Sequence, residues 1–165
     1  MADEKDKEKG KERDMDKEYE SVKKKYSLPD FKELDREFCI GKLEDTPFFL
    51  RSILLKMIER VENVFKLLSD IVQPSESHLA AMYEAEVFSD DEKKGIFDMM
   101  KKMAYHHREL ALKDLNYDDD SAAAAINKFY KEWLAMKKEV TKIMEKLRDA
   151  WKGEAPPKFE AGYFG

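Results

Sequence analysis

Three features of this 165-residue chain predict an all-α fold. Glycine and proline are scarce, at 6 and 5 residues, while Ala, Glu, Lys, Leu and Met are abundant. Those five residue types lose least on entering a helix. Three long stretches repeat apolar residues at intervals of three and four, the spacing of one helix face. Polar breaks rich in capping residues separate these stretches. The prediction is an elongated helical bundle of three long and about two short helices. It divides into a charged disordered arm over 1–25, a helical bundle domain over 26–153 and a short aromatic tail over 154–165.

The arm holds nine Lys/Arg and nine Asp/Glu, and its only sizeable apolar side chains are Met15, Tyr19 and Val22. So little apolar surface does not offset the entropy of ordering a chain. Its net charge is near zero, so the -5 of the whole protein resides in the rest of the chain. From Tyr26 the composition changes. Pro29 disfavours helix at Leu28, and Phe31, Leu34 and Phe38 then mark a short helix that Gly41 is expected to end.

Thr46-Pro47 is the clearest start signal, since Thr caps free amides and Pro suits the first helical position. The stripe Leu50, Ile53, Leu54, Met57, Ile58, Val61, Val64, Phe65, Leu68 and Val72 follows. It predicts a helix over 47–72, about 39 Å long. Ser75 or Ser77 then offers a cap for a short helix carrying Leu79, Met82 and Tyr83. Ser89 and Glu92 match a capping box. The helix after them, running to Leu115, carries Ile96, Phe97, Met100, Met103, Ala104, His107, Leu110 and Ala111. Asp120 or Ser121 is expected to cap the last helix. Its stripe runs from Ile126 through Phe129, Trp133, Met136 and Val140 to Trp151, and Gly153 and Pro156-Pro157 stop it. At about 47 Å this helix is the longest and is expected to project past the others.

Function is less legible. One cysteine excludes an internal disulfide framework and fits a cytoplasmic location. No apolar run approaches membrane-spanning length, and residues 1–5 lack the apolar core of a secretory signal. The three histidines, His78, His106 and His107, do not form the Glu-x-x-His pattern of di-iron bundles. Cys39 lacks partners at zinc spacing. Neither a metal nor a cofactor is expected. Asp118-Asp119-Asp120 reads as capping and solvation rather than a calcium loop. No glycine-rich phosphate loop or nucleophile elbow occurs.

Three features admit a binding reading beside a structural one, namely a solvated lysine face, methionine core packing and a tail folded back onto the bundle. Lys128, Lys131, Lys138 and Lys142 form one line on the last helix, whereas Ser69 to Glu92 holds seven acids and no base. Met99, Met100 and Met103 cluster beside Phe97, and Met99 and Tyr105 lie off the main stripe, as in adaptable grooves. Phe159, Tyr163 and Phe164 crowd the tail. The leading expectation is a non-enzymatic interaction module binding another protein or a second copy, with Trp133 and Trp151 offering apolar surface. An RNA- or ribosome-associated factor using the Lys stripe is one alternative. A small enzyme using His106 or His107 is another.

Overall fold

The computed structural model of the chain describes residues 19–43, 48–75 and 78–153. The described residues are helical and contain no strand, as the sequence predicts. Helix α1 covers 19–26 and α2 covers Phe31–Phe38. The long helices are α3 (Phe49–Val72), α5 (Asp90–Leu115) and α6 (Asp119–Trp151), and the short α4 spans Leu79–Glu86. Cross-helix pairs set the topology. Arg51 meets Asp114 and Glu62 meets His107, so α3 and α5 run antiparallel. Glu92 meets Lys146 and His106 faces Phe129, so α6 turns back against α5. The result is an up-down-up three-helix bundle, with α3 and α5 as its most extensive pair.

The stripes meet along the bundle axis. Ile53, Leu54, Met57 and Val61 of α3, Met103 and Leu110 of α5, and Ile126, Phe129 and Trp133 of α6 are all buried. Two residues counted in the stripes lie outside this core. Phe97 is 49% exposed, because it sits about 100° around the helix from the inward Ile96, and Lys101 Nζ covers its ring at 5.5 Å. Trp151 is 54% exposed and packs edge-on against Tyr83 of α4. There the Tyr83 hydroxyl donates to the Ala150 carbonyl (2.9 Å) and Trp151 Nε1 donates to Glu84 (2.8 Å). The end of α6 therefore docks on α4 instead of projecting free.

The last part of the arm expected over 1–25 has structure of its own. Residues 19–26 are helical, and Tyr19 is fully buried between Phe31 and Phe49. One aromatic ring anchors a turn of charged residues that composition alone assigns to solvent. Residues 1–18, the tail 154–165 and the capping pair Thr46-Pro47 lie outside the described residues, as does Ser77.

Helix ends follow local chemistry. Ser89 and Glu92 form the expected reciprocal box: Ser89 N donates to Glu92 Oε2 (2.9 Å) and Glu92 N donates to Ser89 Oγ (3.4 Å). The last helix begins earlier than expected, because Asp118 accepts from Ser121 N at 2.8 Å and frees Asp119 to Ser121 for the first turn. Cys39, not Gly41, takes the left-handed conformation that ends α2 (φ 56°). Gly41 is needed for close approach instead: its N–H reaches Asp35 Oδ1 at 2.6 Å, and a Cβ there would sit 3.0 Å from that oxygen.

One buried charge stands out. Glu37 of α2 is 2% exposed, the sole buried charged residue among the described residues. Lys137 Nζ donates to both its oxygens (2.7 and 2.8 Å), Trp133 Nε1 donates at 3.0 Å and Arg36 Nε at 3.3 Å. Four donor contacts satisfy a carboxylate that would otherwise be too costly to bury. The cluster ties α2 to α6.

Candidate functional site

The faces of α6 hold the groups that sequence analysis singled out. Lys128, Lys131, Lys138 and Lys142 are all exposed on its outer side. Lys142 pairs with Glu139 at 3.0 Å. The nearby Lys146 crosses to Glu92 of α5 at 2.5 Å, and this contact and the Ser89 cap hold the Glu92 carboxyl down to about 2. One acid of the 69–92 segment, Glu92, thus pairs with a lysine of the basic helix that lies outside the stripe. Phe159, Tyr163 and Phe164 lie outside the described residues.

The adjacent histidines face different neighbours. His107 turns to α3, where Nε2 lies 2.8 Å from Glu62 Oε1 and Nδ1 lies 3.2 Å from Arg108. His106 turns to α6, its ring tilted against Phe129 at 5.8 Å. It lines a cavity of about 350 Å³ that also touches Glu109, Ser121 and Lys128. No hydrogen bond joins His106 to Ser121, and among the described residues no carboxylate bonds its ring to orient it.

Burial holds the His106 ring below its ordinary value of 6.5; Glu132 opposes that shift and Lys128 adds to it. The folded ring therefore takes up a proton less readily than the unfolded one. Its contribution to stability is complete above about 6.5 and declines as pH falls from there through the lower folded value. A His106→Gln variant is expected to show a flatter melting temperature than the wild type across that acid range. Parallel curves would show that His106 does not govern it.

A concavity of about 640 Å³ runs between α5 and α6. Its floor is apolar, from Phe88, Ile96, Met99, Met136 and Ile143. Its rims mix charges, with Glu92 and Lys102 on one side and Glu139, Lys142 and Lys146 on the other. Two small residues open it. Gly95 and Ala135 line the groove, and a Cβ at Gly95 meets nothing within 4 Å. Of the methionine cluster, Met99 reaches this floor while Met100 and Met103 are buried in the core, and Gly95 reads in the sequence only as a weak helix position.

Fold and site together define an all-α three-helix bundle carrying a charge-rimmed apolar groove. No family model, characterised protein or solved structure matches the chain. No helix among the described residues is long and apolar enough to cross a membrane. Among the described residues no cluster of His, Cys, Asp and Glu is arranged to hold a metal ion.

Proposed function

We propose that this chain is a non-enzymatic interaction module that receives an amphipathic helix of a protein partner in the α5–α6 groove. The observation that carries the reading is the groove itself: an apolar floor that includes Met99 and Met136, bounded by acid and base on both rims. Helix-in-groove recognition uses such a surface, with apolar anchors in the floor and charges setting register. Methionine suits it because its unbranched side chain adapts to the incoming anchor. The two adjacent histidines open onto separate cavities, so they do not converge on one reacting centre.

A substitution at Gly95 tests this without harming the fold. A Cβ there meets nothing within 4 Å, so leucine extends into the groove and removes the helix cost of glycine, and the variant is expected to gain about 0.5–1 kcal/mol of stability. Helical peptides selected from a display library on the wild type are expected to bind Gly95→Leu about tenfold or more weaker despite its higher melting temperature. Peptides that bind both proteins equally, or a selection that enriches none, would remove the groove as the recognition surface.

A further inference from the structure

We infer that a second groove, between α2, α3 and α6, binds an extended acidic peptide segment, its carboxylates pairing with Arg36 and Arg60 and its apolar side chains resting on Val64, Val140 and Met144. This groove has a volume of about 590 Å³ and lies on the opposite flank of α6 from the Met99 floor. Its cations are Arg36, Arg60, Lys137 and Arg148; its carboxylates are Glu37 and Glu145.

The charge is not balanced from within. Arg60 lines the same groove as Arg36 and Lys137, and those two contact the Glu37 carboxylate. Lys137 and Trp133 already occupy both of its oxygens, and Arg36 reaches it only at 3.3 Å. Arg60 spends its Nε on the Glu37 carbonyl at 2.9 Å, at the end of α2. Among the described residues no carboxylate pairs with Arg60 and no acceptor takes its terminal nitrogens. A half-buried guanidinium with no counter-ion among the described residues, beside an aliphatic floor, suits a bidentate carboxylate. In a protein of net charge -5, this surplus is local. Arg148 adds little, because Asp149 engages it at 3.0 and 3.3 Å.

Peptide fits this surface better than RNA. Base stacking needs an open aromatic face, but Trp133 is almost wholly buried and its indole N–H is taken by Glu37. The rest of the floor is aliphatic and Met, which offers apolar side chains a surface and bases none to stack on. The groove follows α6 from Trp133 to Arg148, about 22 Å at ~1.5 Å per residue, the span of about seven extended residues.

The test is an NMR titration of the full chain, labelled at amides and methyls. The probes are a blocked peptide alternating glutamate with leucine, its lysine counterpart, and an oligouridylate. The acidic peptide is expected to shift the Trp133 indole proton and the methyls of Val64, Val140 and Met144. It should spare Met99 and Ile143, which report the α5–α6 groove independently. Combining Arg36→Gln with Arg60→Gln is expected to weaken binding about tenfold or more. Arg36→Gln alone removes an exposed cation and serves if the double variant fails to fold. No shift at these positions, equal affinity in the variants, or preference for the lysine peptide or oligouridylate would overturn the proposal.

Discussion

Replacing Glu37 with alanine is expected to lower the unfolding free energy by about 2–4 kcal/mol, read from urea denaturation near neutral pH. The loss has two parts. The Trp133 indole N–H is buried and would keep no acceptor among the described residues, and an unpaired buried donor costs about 1–3 kcal/mol. The side chain also leaves a void between α2 and α6. Lys137 limits the damage because its ammonium can turn to water once its partner is gone; the side chain is 45% exposed.

The same cluster makes a prediction of sign. Burial raises the Glu37 carboxyl, but hydrogen bonds from Lys137 and Trp133 outweigh it and hold the folded value below the ordinary 4.5. A depressed carboxyl contributes stability above its unfolded value and loses it as pH falls through the folded one. The wild type is therefore expected to weaken in acid, below about 4.5. Lys137→Met strips the main counter-ion, so the folded value rises toward the ordinary one while Trp133 and Arg36 still donate. That variant is expected to lose less stability than the wild type as pH falls below about 4.5. A shallower acid slope in the variant confirms the assignment; the same slope in both would show that Lys137 does not hold the charge.

Much of the bundle was legible because periodicity and capping are local. The α3 stripe, the Ser89–Glu92 box and the end of α5 at Leu115 stand where their residues place them. Errors arise where several residues compete for one role. Four residues from Asp118 to Ser121 are able to cap α6, and only the geometry of Asp118 against Ser121 N decides among them. Glu37 was illegible for another reason. Within Phe31–Phe38 it stands beside Arg36 among charges that read as a solvated face. The available signal is positional: Glu37 lies three residues after Leu34 on the inward side, and Trp133 and Lys137, four apart on α6, supply its donors. Such a match needs both helices in place, and no single stretch carries it. The grooves were hidden for the same reason, since Gly95 and Ala135 become one opening only when α5 meets α6.

The second large effect belongs to Tyr19. Tyr19→Ala is expected to cost about 3–5 kcal/mol, the range for deleting a buried aromatic ring. The ring is fully buried, with Phe31 and Phe49 edge-on at 5.2 and 6.1 Å, so its removal leaves a void shared by α1, α2 and α3. Its hydroxyl donates to the Pro29 carbonyl at 2.7 Å, and burial pushes its ionisation well above the ordinary 10. Tyr19→Phe keeps the ring and loses only this bond, so the expected cost is about 1 kcal/mol. The ratio between the two variants discriminates. If residues 19–26 were a solvated part of the charged arm, both substitutions would leave the urea midpoint unchanged. A large loss for alanine with a small one for phenylalanine requires the ring to be packed in the folded state. It would also move the boundary of the bundle to a tyrosine flanked by Glu18 and Glu20, where charge density alone places solvent.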